Sequence, residues 1–302
     1  MTGRILVTGA TGLLGQRVFR RAAAAGVPVV GTYLVRPAGT ADEQLDIRDC
    51  AAVRDTLRRV RPDVVVHTAT GRDRNDWRTI ADGAANVAVA AAAAGVRLVH
   101  VSSDAVFSGR DVHYDEAALP DPVNRYGAAK AAAETAVRAV APDAAVVRTS
   151  LILGDGDSPH ERLTHGLASG RIDGALFTDD IRKPIHVDDL AEALLELAAN
   201  DYHGVINVAG TDPISRYGLG VLVAVRDGLD PASLPAGRSA ELDPSRPTNV
   251  QLRLDRAAAV LRTRLRGARE FVAPSGPRTG PATNRPSGPA PRTAGSTRTP
   301  TR

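Results

Sequence analysis

The stretch that decides the fold is RILVTGATGLLG, residues 4–15, near the start of the chain. It begins with a mostly apolar run, Arg4 to Val7, and continues through a glycine-rich turn. An alanine-rich segment, residues 16–25, follows and favours a helix. A strand, a glycine-rich turn and a helix in this order are typical of the first unit of a parallel α/β sheet that binds a dinucleotide.

The three glycines of this turn have different expected roles. Gly9 permits the tight turn, Gly12 lets the backbone approach a pyrophosphate, and Gly15 allows the strand and the helix to pack closely. The phosphates would lie at the helix N-terminus, where backbone N–H groups are unpaired and the dipole is positive. The competing interpretation is a glycine-rich turn without a ligand, which the position at the head of a strand–helix series disfavours.

The same alternation continues through the first half of the chain. Apolar runs predict strands at 27–33, 64–68, 98–102 and 145–149, and helical patterns lie at 51–60, 84–94 and 126–140. Strands that are apolar on both faces and alternate with helices imply a parallel sheet covered on both sides. We therefore expect an α/β protein with a Rossmann-type, doubly wound parallel sheet.

The alternation loosens after residue 150. A strand is predicted at 205–208, with helices at 163–169, 190–199, 215–226 and 255–261 and Asp188 as an N-cap. We expect a dinucleotide-binding domain at 1–150, a smaller substrate-binding portion at 151–272 interleaved with it, and a C-terminal tail at 273–302. The tail consists mainly of Pro, Gly, Thr, Ser and Arg and is predicted to be disordered.

The formal net charge of +4 comes from this tail. Residues 273–302 carry five arginines and no acid, which leaves 33 basic against 34 acidic residues in the rest of the 302-residue chain. Folds that bind nucleic acid carry their positive charge as a patch on the folded surface. A nearly neutral body therefore argues against a nucleic-acid partner.

Other classes of protein are disfavoured by simple patterns. No apolar run of about 18 residues predicts a membrane span, and the N-terminus passes into a strand without a leader, so we expect a cytoplasmic protein. The single Cys50 cannot form an internal disulfide. A metal site at Asp155, Asp157 and His160 is the weaker interpretation of a solvated Gly/Asp loop, so no metal is expected.

A second motif predicts proton transfer. Tyr126 and Lys130 are four residues apart on a predicted helix, which places phenol and ammonium on one face. A nearby cation lowers the pKa of a phenol, and a serine hydroxyl such as that of Ser103, at the end of a predicted strand, can hold the reacting oxygen. Lys130 is one of only two lysines against 36 arginines, which is consistent with a site that needs a compact ammonium.

The end of the second strand bears on the choice of cofactor. An acid there would bind the 2′-hydroxyl of NAD, but residues 31–36 contain none and end in Arg36. A guanidinium favours a 2′-phosphate, so NADP is preferred over NAD, unless Arg36 is an ordinary solvated loop residue.

The chain resembles the extended short-chain dehydrogenases/reductases, through the GxxGxxG spacing and the pair Asp46-Ile47. Within that family it is most similar to the dTDP-4-dehydrorhamnose reductase branch over residues 3–270. The stretches that carry this resemblance are TGATGLLG at 8–15, LDIRD at 45–49, VHVSSDAVFSG at 99–109, PVNRYGAAK at 122–130, VVRTSLILGDG at 146–156, RKPIHVDDLAEAL at 182–194 and VAGTDPISRYGLG at 208–220.

The resemblance implies Ser103, Tyr126 and Lys130 as the catalytic triad, with Lys130 also contacting the cofactor. It implies cofactor contacts at Gly12, Leu13, Leu14, Asp46, Ile47, Ala69 and Thr70. Asp104 and Arg182, with Ser103 and Tyr126, are expected to bind the substrate, and Arg182 and Lys183 could meet a diphosphate.

Several departures from the pattern leave the sugar open. Ala105 stands where the similar reductases have Tyr, and His67 begins a segment that is usually Asn-Ala-Ala. Asp104-Ala105 also lacks the Glu of related dehydratases, which favours carbonyl reduction. The leading hypothesis is an NADP-dependent reductase of a nucleotide-linked keto sugar. A dinucleotide-binding regulatory subunit without turnover and a sugar-nucleotide epimerase stay as alternatives, and the oligomeric state stays open, with a homodimer as one candidate.

Overall fold

The computed structural model describes residues 3–39, 42–242 and 246–273. Apart from Ala273, the predicted disordered tail lies outside these residues. Within the described ranges, no helix combines the length and the apolar character needed to cross a membrane.

Seven parallel strands form the central sheet, which confirms the predicted fold class. In chain order the strands are β1 (Ile5–Thr8), β2 (Val29–Tyr33), β3 (Glu43–Gln44), β4 (Val64–His67), β5 (Arg97–Ser103), β6 (His113–Tyr114), β7 (Ala145–Thr149), β8 (Ile152–Leu153), β9 (Leu176–Phe177), β10 (Ile181–Arg182), β11 (Ile185–His186), β12 (Gly204–Val208), β13 (Ile214–Ser215), β14 (Ala236–Gly237) and β15 (Gln251–Leu252). The order of strands in the central sheet is β3-β2-β1-β4-β5-β7-β12, and the remaining strands form short two-stranded pairings.

Helices cover both faces of this sheet. They are α1 (Leu13–Ala24), α2 (Cys50–Val60), α3 (Gly83–Ala93), α4 (Arg125–Val140), α5 (Pro159–Ala168), α6 (Val187–Ala199), α7 (Arg216–Arg226), α8 (Ser239–Leu242), α9 (Asp255–Val260) and α10 (Ala268–Phe271). One apolar core joins α1 and α6 to one face, and a second joins α2, α3 and α4 to the other. Burial of the strands from both sides explains why they are apolar throughout.

The strand order reverses beside β1, since β2 pairs with one of its edges and β4 with the other. The connections that leave β1 and β4 therefore run to opposite faces and open a crevice at the carboxyl ends of the strands. Residues after 150 return to this layer, because β12 pairs with β7 and α6 packs against α1. The division at residue 150 stays a prediction.

Two helices begin earlier than the sequence patterns predicted. Helix α5 starts at Pro159, after Ser158, whose side chain forms a capping box with Glu161. The prediction of Asp188 as an N-cap is wrong: the cap of α6 is His186, whose Nδ1 accepts from the Asp188 N–H at 3.2 Å. The Asp188 carboxylate instead binds Arg17 on α1 at 2.9 Å, so tertiary contact decides its role.

Candidate functional site

A cavity of about 580 Å³ lies at the carboxyl ends of β1, β4, β5 and β7. Its lining includes the first residues of α1, residues from the ends of β5 and β7, and the start of α4. The second half of the chain contributes His160 of α5, Arg182 of β10, Arg216 of α7 and the loop residue Arg246. The crevice predicted by the strand order is therefore closed on one side by the smaller C-terminal portion.

The glycine-rich turn lies at one end of this cavity. Gly9 has φ of +71°, and a Cβ there would lie 2.8 Å from the Cα of Ala69. A Cβ at Gly15 would overlap the carbonyl oxygen of Gly9. Gly12 precedes α1 in an extended conformation, and no side chain of the described residues caps the first turn of that helix. Its backbone N–H groups are thus left for a ligand.

Replacing Gly12 by Ala is expected to weaken dinucleotide binding without unfolding the protein. The backbone at Gly12, with φ −81° and ψ 165°, is open to any residue, and a Cβ would meet only the Gly9 carbonyl oxygen at 3.3 Å. The added methyl would instead hold a pyrophosphate away from the helix, at a cost of about 1–3 kcal/mol, or roughly 5- to 150-fold in Kd. A fluorescence titration with NADPH measures this loss. Gly39→Ala, where a Cβ meets nothing within 4 Å, is the control; equal affinities in the two variants would contradict the assignment.

The residues assigned to the adenine end lie outside the lining of the cavity. Arg36 is exposed in the loop after β2. Asp46 is bound by Arg48 at 2.7 Å, and this hydrogen bond holds the pKa of the carboxyl below its usual value. The carbonyl of Ile47 accepts from Asn86 at 3.0 Å. Thr70 lines the cavity and Ala69 packs on Gly9. The cofactor assignments of all five residues stay predictions.

Ser103, Tyr126 and Lys130 all line the same cavity. Ser103 ends β5, and its hydroxyl accepts from the N–H of Ala105 at 3.2 Å. The other two lie on α4, which passes so close to the turn after β5 that a Cβ at Gly127 would overlap the carbonyl oxygen of Ala105. Glycine at 127 thus permits the close approach that places the Tyr126 phenol beside the serine.

The pKa of Tyr126 is shifted in the opposite direction to the one that the sequence predicted. Burial raises the pKa of Tyr126, opposed by the charge of Arg74 and by a hydrogen bond with Ser103. Burial lowers the pKa of Lys130 to about 8, with Glu134 acting in the opposite direction. The ammonium donates to the carbonyl of Val101 at 3.0 Å. In the described part of the chain, the cation over the phenol ring is Arg74, whose Cζ lies 5.0 Å from the ring centroid.

A buried ion pair lies next to Ser103, Tyr126 and Lys130 and was not predicted from the sequence. Glu134 follows Lys130 by one helical turn and binds Arg148 of β7 at 2.8 Å. The Ser102 hydroxyl donates to the same carboxylate at 2.6 Å. The side chains of Glu134 and Arg148 are 2% and 1% exposed. The pair connects α4 to β5 and β7 beside these three residues.

An arginine cluster at the opposite side of the cavity surrounds Asp180. The carboxylate of Asp180 is fully buried and lies 2.9 Å from Arg182, 3.2 Å from Arg216 and 3.6 Å from Arg246. Asp104, expected to bind substrate, lies 3.6 Å from Arg182, and burial raises the pKa of its carboxyl. Three guanidinium groups against two carboxylates suit an anionic ligand.

Sequence reasoning placed only Arg182 in this cluster. Arg216 follows the N-cap of α7, and Arg246 lies in a loop, so no local pattern distinguishes either from surface arginines. Lys183, expected beside Arg182, instead donates to the carbonyl of Leu252 at 3.0 Å and does not line the cavity.

The acidic loop after β8 forms a different cluster from the one considered in the sequence. Among the described residues, ligand atoms of Asp155, His186 and Asp188 lie within 4.8 Å of one another. Arg17 pairs with Asp155 at 3.1 Å and with Asp188 at 2.9 Å, so one guanidinium already binds both carboxylates. His160, the third member of the sequence-based group, lies instead in the cavity beside Arg216 at 2.9 Å.

The strand order, the glycine-rich turn and the Ser–Tyr–Lys grouping define an extended short-chain dehydrogenase/reductase type of protein. The chain belongs to the RmlD substrate-binding domain family, whose model matches residues 3–275.

Individual relatives are similar over most of the chain. dTDP-4-dehydrorhamnose reductase of Mycolicibacterium smegmatis is 33% identical, over 90% of this chain and 84% of its own. Methionine adenosyltransferase 2 subunit beta of Rattus norvegicus is 30% identical, over 82% and 80%. The crystal structure of dTDP-4-dehydrorhamnose reductase from Bacillus anthracis in complex with NADP superposes with a TM-score of 0.77 and 25% identity, covering 90% of this chain and 98% of that one.

Proposed function

We propose that the chain is an NADPH-dependent reductase that acts on a keto sugar linked to a nucleotide. The observation that carries this proposal is the single cavity that joins the N-terminus of α1 to Ser103, Tyr126 and Lys130. Similarity to dTDP-4-dehydrorhamnose reductases, one of them in complex with NADP, supports the same reaction.

The residues present fit a dinucleotide. The uncapped first turn of α1 offers backbone N–H groups to a pyrophosphate. Only glycine fits at position 9 in the preceding turn and at position 15 in the helix. Lys130 would meet the nicotinamide ribose, and because burial lowers its pKa to about 8, it is protonated at pH values below that. Arg36, exposed beyond β2, would meet the 2′-phosphate.

The reaction adds one hydride and one proton to a carbonyl group. NADPH supplies the hydride to the carbonyl carbon when it is bound. The Tyr126 phenol donates its proton to the carbonyl oxygen, which becomes the hydroxyl of the product. Ser103 holds that oxygen through its hydroxyl, and Lys130 provides positive charge on the same helix face. Arg216 and Arg246, with Arg182 behind them, would hold the diphosphate of the nucleotide.

The decisive experiment is NADPH consumption with a panel of nucleotide-linked 4-keto sugars. We expect steady, substrate-dependent oxidation of NADPH by at least one of them. A protein that only quenches or enhances NADPH fluorescence, with no oxidation, would instead be a regulatory subunit. An epimerase would retain its cofactor and show no net oxidation.

The cofactor preference depends on Arg36. Replacing it by Ala is expected to raise the Kd for NADPH about tenfold or more, because a hydrogen bond to a charged group contributes about 1.5–3 kcal/mol. The Kd for NADH should stay unchanged, since NADH has no 2′-phosphate. Arg54→Ala, on the exposed surface of α2, is the control for the loss of one positive charge. Equal NADPH and NADH affinities, unaltered by Arg36→Ala, would overturn the preference.

We also propose a cytoplasmic location, because reduced dinucleotides and nucleotide sugars are made there. Sedimentation at several concentrations would test the homodimer named as a candidate.

A further inference from the structure

The loop between β4 and α3 carries an arginine whose position the proposed mechanism does not use. Arg74 lines the cavity, and its guanidinium lies over the ring of Tyr126, with Cζ 5.0 Å from the centroid. The loop is joined to α4 beside this tyrosine, because Arg125 donates to the carbonyl of Asn75 at 2.9 Å. A cation above an aromatic face within about 6 Å is attracted by the ring.

Lys130 does not take this position. Its ammonium is directed at β5, where it donates to the carbonyl of Val101 at 3.0 Å, and it is 2% exposed. The positive charge over the face of the Tyr126 ring therefore belongs to Arg74, a loop residue. Lys130 lies instead on the side of α4 that packs against β5.

Other groups of the described residues also lie around the phenol. Asp104, at the end of β5, disfavours negative charge on Tyr126, and the hydrogen bond with Ser103 favours it. The π-helical turn Arg78–Asp82 packs on the ring through Ile80 and Ala81, while its charged residues at 78 and 82 are exposed. His160, which also lines the cavity, has a pKa well below its usual value because of burial and the charges of Arg216, Arg74 and Arg246, so it stays neutral.

We propose that Arg74 is a positioning residue for Tyr126: its guanidinium holds the ring from the cavity side and stabilises the negative charge that appears on the phenol oxygen when the proton leaves. This role in turnover rests on the proposed function. The ionisation of Tyr126 itself does not, because it is measurable in the protein alone.

The first test is an ultraviolet titration of tyrosinate. The spectrum of Tyr126→Phe is subtracted from that of the wild type, which isolates one of the five tyrosines. Arg74→Ala, analysed against its own Tyr126→Phe double variant, is expected to raise the pKa of Tyr126 by about 0.5 to 1 unit. Arg74→Lys keeps a positive charge at this position and should bring the pKa of Tyr126 most of the way back to its wild-type value. Arg72→Ala, an exposed arginine of the same loop outside the cavity lining, should leave the titration unchanged.

The second test measures alcohol oxidation with NADP, which needs the phenolate form of Tyr126. In Arg74→Ala the pKa of Tyr126 is expected to rise by about 0.5 to 1 unit. At a pH below that pKa, the fraction of phenolate, and with it kcat, then falls about three- to tenfold. KM for NADP should stay the same, and Arg72→Ala should behave as wild type.

The outcomes separate the two proposals. A wild-type protein without turnover would overturn the proposed function but leave the titration as a test of Arg74. If the pKa of Tyr126 in Arg74→Ala equalled that of the wild type, or if only KM for the sugar changed, the proposed role of Arg74 would be wrong. Arg74 would then only line the cavity.

Discussion

Replacing Tyr126 by Phe is expected to lower kcat for keto-sugar reduction by about 10²- to 10⁴-fold, which is the usual contribution of a positioned proton donor. The variant removes one oxygen atom and keeps the ring that packs against Ile80 and Ala81. Folding and the Kd for NADPH should therefore stay close to wild type. Steady-state kinetics together with a fluorescence titration measure both quantities on the same preparation.

Tyr217 offers a matched control for this substitution. It is a half-buried tyrosine of α7 that packs beside the core of Leu167 and Leu176 and does not line the large cavity. Tyr217→Phe should keep full turnover. If Tyr126→Phe also kept wild-type kcat while binding NADPH normally, Tyr126 could not be the proton donor.

Replacing Arg148 by Ala is expected to reduce the free energy of unfolding by about 3–5 kcal/mol, because it leaves the Glu134 carboxylate buried without its partner. The loss includes packing, since the guanidinium also lies 4.9 Å over the ring of Phe107. Urea unfolding followed by circular dichroism measures the difference.

Two further variants make this prediction specific. Replacing the pair together, as Glu134→Leu with Arg148→Met, should recover part of the stability, because neither member of the pair is then buried without the other. Recovery is incomplete because the Ser102 hydroxyl loses its acceptor and Lys130 loses the charge of Glu134. Arg58→Ala, which removes the exposed ion pair with Asp55 on α2, should change the free energy of unfolding by less than about 1 kcal/mol. An Arg148→Ala protein as stable as Arg58→Ala would show that the buried pair contributes little.

The parts of the site that follow from local sequence were predictable. Gly9 and Gly15 are required by a turn within one strand–helix unit, and the four-residue spacing of Tyr126 and Lys130 fixes a common helix face. The direction in which the pKa of Tyr126 is shifted was harder to predict. Burial raises the pKa of Tyr126, where the sequence argument expected Lys130 to lower it, because the degree of burial is set by elements distant in the chain.

Contacts between residues far apart in the chain could not be predicted from a local sequence pattern. Arg74, Arg216 and Arg246 reach the cavity from three separate loops or helix starts, and the sequence contains 33 other arginines with similar neighbours. Glu134 and Arg148 are each ordinary in sequence, yet they form a pair because α4 lies across β7. Asp188 had the pattern of an N-cap, but Arg17 on another helix binds its carboxylate.

The sequence by itself determined the fold class, the glycine-rich turn and the spacing of the predicted Ser–Tyr–Lys set, because strand and helix periodicity and backbone freedom act over a few neighbouring residues. Only the tertiary structure decided which charges meet. Burial and distance set the strength of each electrostatic interaction, and both depend on how β4, β5, β7 and the C-terminal loops converge on one cavity.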